Sequence, residues 1–319
     1  MKAVLYDRYG GPEVLYVGDV PRPLLKDGEV LVRVRAFSIN GGELSARAGR
    51  VRFVTGRKFP QRVGLDFSGE VAALGPGASG FAVGDRVWGV VGRTSGFGSA
   101  AEYVKTKPER LGKVPDGLDL VAAAALPVGT TAVTALRDKA RLKPGERLLV
   151  RGAAGGVGNV AVQLGAALGA EVTALARATN LDFVRGLGAA HAYDHRSSAP
   201  RELGTYDVVL DTVGTELRTY RGLLAPGGRM VTIAFDLERI GRSLGYVAAS
   251  AVHGRGRVRF FSGNPRRALL DEVARLVSTG ALHPEVEKVF PLERTGDAHR
   301  ALEAGGVRGK YVVRVDAEG

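Results

Sequence analysis

One segment constrains the fold of this chain more than any other, the run from Arg147 to Leu168. Arg147-Leu148-Leu149-Val150-Arg151 reads as a short apolar strand that runs straight into Gly152-Ala153-Ala154-Gly155-Gly156-Val157-Gly158. Val157, Val160, Ala161, Leu164 and Leu168 then recur at helical spacing. Against G-x-G-x-x-G the loop fits as Ala153-x-Gly155-x-x-Gly158, with alanine in the first position. A chain with 46 glycines matches a bare glycine pattern by chance, so the weight falls on the strand before it and the amphipathic helix after it. Glycine at 155 lets a pyrophosphate approach the backbone, and glycine at 158 lets the helix lie close to the strand. The helix N-terminus offers unpaired N–H groups and the positive end of its dipole. A glycine-rich packing turn is the structural alternative. The reading predicts a dinucleotide site in an α/β domain built on a parallel sheet.

The second strand, Glu171 to Ala176, indicates which dinucleotide. An NAD site would place Asp or Glu at its end, about 20 residues after the loop, to hold the ribose 2′-hydroxyl. The chain instead reads Leu175-Ala176-Arg177-Ala178-Thr179-Asn180, with Arg177 lying 22 residues beyond Gly155 and no acid beside it in sequence. A guanidinium suits a 2′-phosphate, so the expected cofactor is NADPH. Tyr206–Asp211 and Arg229–Ile233 read as further strands with helical stretches between them, and Val121–Ala125 and Thr131–Leu136 also look helical.

The first third has a different texture. Val30-Leu31-Val32-Arg33-Val34-Arg35 alternates like a half-buried strand, and turn signals recur at Gly10-Gly11-Pro12, Lys26-Asp27-Gly28, Gly75-Pro76-Gly77 and Val83-Gly84-Asp85. Short strands without intervening helices predict an antiparallel, barrel-like unit. After about Arg257 the pattern is mixed again and closes on an alternating strand, Gly309–Val315. The expected organisation is a nucleotide-binding domain over 121–257, inserted into a β-rich domain assembled from 1–120 and 258–319.

Composition narrows the chemistry. The chain is 45% hydrophobic and 24% charged, which excludes a disordered chain, and no apolar run approaches the roughly 18 to 20 residues of a membrane span. Met1–Arg8 does not read as a signal peptide, so a cytoplasmic protein is expected. There are no cysteines, hence no thiolate zinc site, iron–sulfur cluster, disulfide or cysteine nucleophile. His191 and His195 are spaced i,i+4, but in strand and loop that spacing separates them by roughly 13 Å, and no metal site is expected. The net charge is +12. Most charges are scattered, except that Arg47, Arg50, Arg52, Arg57, Lys58 and Arg62 fall in a stretch with no acid. That stretch either attracts an anionic substrate, such as an acyl thioester, or is an ordinary solvated loop. Aromatic content is only 7% and no aromatic-basic stacking motif appears, which disfavours a nucleic-acid partner.

Several motifs together carry a resemblance. They are Pro60-Gln-Arg-Val-Gly64-Leu65-Asp66-Phe-Ser-Gly69-Glu-Val71, Val83-Gly84-Asp85-Arg86-Val87, Leu126-Pro127-Val128-Gly129-Thr130-Thr131-Ala132, the glycine loop, Asp207-Val-Val-Leu-Asp211-Thr-Val213-Gly214 and the Gly309-Lys310 ending. Over nearly its whole length the chain resembles the zinc-independent, zeta-crystallin-like quinone oxidoreductase branch of the medium-chain dehydrogenase/reductases. The resemblance implies a GroES-like β-rich domain plus a Rossmann-fold domain, usually as a homodimer. It implies Asn40 near the nicotinamide and substrate, and Thr131 against the carboxamide. Gly152, Ala154, Gly155, Gly156, Val157, Arg177, Val213 and Lys310 would serve the cofactor. Ala234, Phe235, Phe261 and Ser262 would line its nicotinamide half. His195 stands where many relatives have a tyrosine against the adenine; a surface histidine is the alternative. Ser45 replaces a tyrosine found in some quinone reductases, and Glu43 a common aspartate. The zinc-ligand positions of metal-dependent relatives read Asn40 and Asp66, and their four-cysteine lobe is replaced by the glycine-rich stretch Gly89–Gly98, either a mobile cover or a surface loop. Tyr103-x-x-x-Lys107 has the form of a short-chain reductase motif but precedes the glycine loop, and it reads as a strand end.

Without a metal, an oxyanion formed on hydride transfer must be met by donors such as the Asn40 amide, the Ser45 hydroxyl, backbone N–H groups or ribose hydroxyls. The expected activity is NADPH-dependent reduction of a quinone or an α,β-unsaturated carbonyl, including enoyl thioesters. The alternative is a nucleic-acid-binding or NADPH-binding protein of the same fold with little turnover.

Overall fold

The computed structural model describes residues 1–56, 58–91, 98–236, 239–252 and 256–315. The chain divides into two compact units. The first comprises Met1–Val128, Asn264–Gly280 and Pro284–Gly319, and the second Gly129–Gly263 with Ala281–His283.

The first unit opens with β1 (Lys2–Tyr6), β2 (Tyr16–Asp19) and β3 (Val30–Ser38), followed by α1 (Gly41–Arg47) and α2 (Arg52–Thr55). Next come β4 (Gln61–Arg62), β5 (Asp66–Leu74), β6 (Arg86–Val90), β7 (Tyr103–Thr106), β8 (Leu111–Lys113) and α3 (Leu120–Ala123). The second unit contains α4 (Gly129–Val133), β9 (Arg147–Arg151), α5 (Gly156–Ala167), β10 (Glu171–Ala176), α6 (Leu181–Gly186), β11 (His191–Asp194), β12 (Tyr206–Asp211), α7 (Leu217–Arg221), β13 (Leu224–Thr232), α8 (Ile240–Ala249) and β14 (Val258–Phe260). The chain then returns to the first unit with α9 (Arg267–Ser278), β15 (Val286–Pro291), α10 (Thr295–Ala304) and β16 (Lys310–Arg314).

The first unit is mainly antiparallel, and the alternating Val30–Arg35 run lies in its β3. Its larger sheet runs β15-β16-β3-β5-β6-β8 with β7 also on β3, and a smaller sheet runs β2-β1-β4. The exception is β15, which lies parallel to β16 across the α10 crossover. Alternate residues of β3 and β5 enter one core with Phe37, Phe67, Val71 and Val313. The second unit is a six-stranded sheet in the order β11-β10-β9-β12-β13-β14, with every pair parallel. Renumbered from β9, that is the doubly wound 3-2-1-4-5-6 order, whose ligands lie beyond the carboxyl ends of the strands.

The division of the chain differs by several residues from the sequence reading, for identifiable reasons. Asp119 caps α3 by accepting from Ala122 N, and Ser68 donates to Leu120 O, so 120–128 stays with the first unit. Val258–Phe260 pairs with β13, which holds it in the second. Thr131–Leu136 begins as α4 but continues as a π-helical stretch to Ala140. β13 starts at Leu224, earlier than expected, because the strand passes through Pro226-Gly227 with a register shift on β12.

Candidate functional site

In the second unit the carboxyl ends of β9, β12 and β13 bring Gly152, Val213, Ala234 and Phe235 of the expected cofactor residues together. Gly155 is the N-cap of α5 and no side chain caps that helix, so its first-turn N–H groups point outward unclaimed by a cap. A Cβ at Gly155 would meet only Gly152 O at 3.4 Å, whereas one at Gly158 would lie 2.1 Å from the same oxygen. The first glycine therefore keeps an approach open and the second allows helix-to-strand packing. Gly152 has φ +69° and abuts Thr212 and Val213. Gly214, with φ +85°, approaches the backbone of Ala234 and Phe235, and the Phe235 ring lies 4.2 Å from that of Phe260. Thr131 on α4 faces Gly263, next to Phe261 and Ser262. Ala154 is buried at the loop's base, and Gly156 and Val157 form the first turn of α5. This cradle fits a dinucleotide.

An ion pair that the sequence reading missed fastens the cradle. Arg151 ends β9 and Asp211 ends β12, and both are buried. Arg151 Nη1 donates to Asp211 Oδ1 at 2.8 Å and to Thr215 O at 2.6 Å, while its guanidinium stacks 3.7 Å over Tyr220. Asp211 also accepts from Val213 N, Gly214 N and Thr232 Oγ1. Burial pushes the Asp211 carboxyl upward and Arg151 opposes that shift. The available signal was a charged residue closing each of two apolar strands.

Arg177 follows β10 and is half-buried. Parallel pairing sets Asp194 opposite Ala176, so an acid stands near this arginine in space although none does in sequence. Asp194 accepts from Arg196 N at 3.2 Å and Ser197 Oγ at 3.5 Å. His195 is exposed at the same strand ends, with Nδ1 2.8 Å from Ala176 O, while His191 pairs with Glu171 at 3.0 Å.

In the first unit, Asn40 precedes α1 and its amide is turned inward. Nδ2 lies 3.1 Å from Ser38 O, 3.3 Å from Glu43 Oε1 and 3.1 Å from Asp66 Oδ2. Two N–H bonds thus face three internal acceptors, and serving as an oxyanion donor would require the amide to leave this network. Glu43 reaches back to Asn40 N at 2.8 Å and accepts from Gly64 N at 2.7 Å. Asp66 accepts from Ser38 N and Oγ. Lys310 donates to Asn40 Oδ1 at 2.6 Å and Ile39 O at 2.9 Å, and lies 3.9 Å from Asp66 Oδ2. Glu43, Asp66 and Lys310 are all buried. Ser45, one helical turn on, is half-buried. Among the described residues no three His, Asp or Glu side chains could hold a metal ion, and with no cysteine the residues do not fit a resident zinc.

The acid-free stretch is less uniform than its sequence. Arg47 is buried and paired with Glu303, so it cannot join a surface patch. Arg50, Arg52 and Lys58 are exposed and Arg62 is half-buried, while Arg57 lies outside the described residues. So does most of the glycine-rich stretch, 92–97.

His299 on α10 is fully buried, 3.9 Å from Glu43 Oε2, and neither ring nitrogen has a hydrogen-bond partner. Burial, with Arg47 adding to it, holds its pKa down from 6.5 to about 3. The unfolded chain therefore takes up this proton first, and stability is lost as the pH falls from 6.5 towards 3. Burial, reinforced by Asp66, pushes Glu43 from 4.5 up to about 7. Its contribution has the opposite sense, complete below 4.5 and lost as the pH rises through 7. His299→Leu is expected to flatten the acid limb of a Tm–pH profile below pH 6.5. An unchanged slope would contradict the assignment.

Comparison with known proteins agrees with this geometry. Residues 26–116 match the alcohol dehydrogenase GroES-like domain, and residues 187–313 a domain described as zinc-binding dehydrogenase. The Coxiella burnetii quinone oxidoreductase structure superposes with a TM-score of 0.90 at 31% identity, covering 99% of each chain. The chloroplast envelope quinone oxidoreductase homolog of Arabidopsis thaliana is 30% identical over 98% of both proteins. A segment of the polyketide synthase GfsB of Streptomyces halstedii, 5% of that protein, is 36% identical across 91% of this chain. Among the described residues no helix is long and apolar enough to cross a membrane. The chain is an oxidoreductase with a nicotinamide cofactor, and it belongs to the quinone oxidoreductase-like branch of the medium-chain dehydrogenase/reductase superfamily.

Proposed function

We propose that this protein uses NADPH, without a metal, to reduce an acceptor whose carbonyl is conjugated: a quinone, an enone or an enoyl thioester. The observation that carries the reading is the buried network of the first unit. Its cation is the Lys310 ammonium and its acids are Glu43 and Asp66, and among the described residues no set of three His, Asp or Glu side chains stands ready to hold a Lewis acid. A plain ketone or alcohol needs strong polarisation at oxygen; a conjugated acceptor spreads the charge and leaves its final proton to be supplied by water.

The chemistry that bound NADPH would supply is a hydride from its nicotinamide. The N–H groups at the start of α5 would hold the pyrophosphate, with Gly155 keeping the approach clear. Arg177, just after β10, would pair with the 2′-phosphate. Thr131 would meet the carboxamide, Phe235 and Phe261 would shield the ring, and His195 would lie against the adenine. Ser45 would face the acceptor, and Asn40 would do so only by giving up its internal bonds to Ser38, Glu43 and Asp66. The exposed Arg50, Arg52 and Lys58 suit an anionic acceptor such as an acyl thioester. The proposal includes a cytoplasmic homodimer.

The test is a panel of enones, an enoyl thioester, quinones and saturated ketones, followed by loss of NADPH absorbance with and without prior EDTA treatment. Conjugated acceptors should turn over, saturated ketones should not, and EDTA should change nothing. Activity confined to saturated ketones, or lost to EDTA and restored by zinc, would refute the reading.

A further inference from the structure

Two buried amides stand one helical turn apart on α5, directly after the glycine loop: Asn159 and Gln163. The hydrogen bonds through them run in one direction only. His283 N is a donor, and it donates to Gln163 Oε1 at 2.7 Å. The Gln163 amide therefore turns its nitrogen the other way, to Asn159 Oδ1 at 3.2 Å and His283 O at 3.3 Å. Asn159 in turn presents its own nitrogen to Gly155 O at 3.0 Å and Gly156 O at 2.8 Å. Those carbonyls can only accept, so both ends of the relay demand the same polarity. His283 lies in the Ala281–His283 segment, which belongs to the second unit. The relay thus ties the start of α5 to backbone 120 residues further along the chain.

The two carbonyls that Asn159 holds belong to the peptides that would face the phosphates. In a trans peptide the C=O and the following N–H point in opposite directions. Gly155 O shares its plane with Gly156 N, and Gly156 O shares its plane with Val157 N. Holding both oxygens towards the body of the helix directs both N–H groups out of its N-terminus, where no side chain caps them. The first of these planes lies between two glycines, with no Cβ on either side to oppose its rotation. Gly155 itself is in extended backbone, φ −75° and ψ 177°, so helical geometry restrains the plane from one side only. The backbone gives Gly155 O one bond, from Asn159 N at 2.8 Å, and the Asn159 side chain adds the second.

We propose that Asn159, backed by Gln163, is a positioning residue for the dinucleotide, fixing the two peptide N–H groups that would receive its pyrophosphate. This rests on the part of the proposed function in which the start of α5 holds the pyrophosphate, and not on the identity of the acceptor. The test is fluorescence titration of the full chain with NADPH and with NADH, at a temperature where circular dichroism shows each variant folded. A neutral hydrogen bond corresponds to a roughly two- to tenfold change. N159L removes two of them and should raise both Kd values by about tenfold, equally within about twofold, because the pyrophosphate is common to both dinucleotides. The hydroxyl of N159S can donate to a carbonyl one turn back, so N159S should lose only about threefold. Q163M should also weaken both dinucleotides about threefold, and N159L/Q163M should bind no worse than N159L. Should N159L not fold, N159S and Q163M carry the test, and unchanged affinities in both would overturn the proposal. It is also overturned by N159L affinities within twofold of wild type, by a loss confined to one dinucleotide, by an N159S that loses as much as N159L, or by losses that multiply in the double variant. A wild type that binds neither dinucleotide would overturn it together with the cofactor site, whereas a binding wild type with any of those results overturns it alone.

Discussion

Arg151→Leu is expected to destabilise the second unit strongly. It would leave Asp211 buried with no cation, and breaking a buried pair by removing one partner costs about 3 to 5 kcal/mol. Asp211 would keep its bonds from Val213 N, Gly214 N and Thr232 Oγ1, which places the loss towards the lower end. At roughly 2 to 4 °C per kcal/mol for a domain of this size, the Tm should fall by about 10 °C. Arg151→Lys keeps the charge but loses the stacking on Tyr220 and the forked contact with Thr215, so it should fall between. Cofactor affinity should drop in the same order, because Asp211 fastens the 212–214 turn against Gly152. A Tm for Arg151→Leu within about 2 °C of wild type would show that the pair does not hold the cradle.

The second large effect concerns cofactor choice. With Arg177 closing β10, NADPH should bind more tightly than NADH by roughly ten- to a hundred-fold, the worth of a charge-assisted hydrogen bond of about 1.5 to 3 kcal/mol. Arg177→Ala should lose most of that preference by weakening NADPH and not by improving NADH. Arg177→Asp should weaken NADPH further, since a second carboxylate would join Asp194 opposite Ala176. Titrating both dinucleotides into wild type and the two variants checks this. Equal wild-type affinities, or an alanine variant that keeps its preference, would refute it.

What could be read from the chain was what short-range pattern encodes. Alternation in Val30–Arg35 became β3, and the strand–glycine–helix run became β9 and α5 at the centre of a parallel sheet. What could not be read depends on partners far along the chain. Arg151 and Asp211 are 60 residues apart, and Lys310 reaches Asn40 across 270. Asp194 stands beside the end of β10 only through parallel pairing, which sequence distance does not reveal. Arg47 looked like one more surface cation, but α10 buries it against Glu303. Charge counts cannot separate a buried arginine from an exposed one.

The central claim, metal-free hydride transfer from NADPH to a conjugated carbonyl, is tested most directly by isotope transfer. Wild-type protein pretreated with EDTA should be incubated with an enone and NADPH carrying deuterium at both nicotinamide C4 positions, and the product analysed by mass spectrometry and NMR. The account predicts a saturated ketone with one deuterium on the carbon β to the carbonyl. Deuterium on the carbonyl carbon, a reduced product without deuterium, or no product until zinc is added would contradict it.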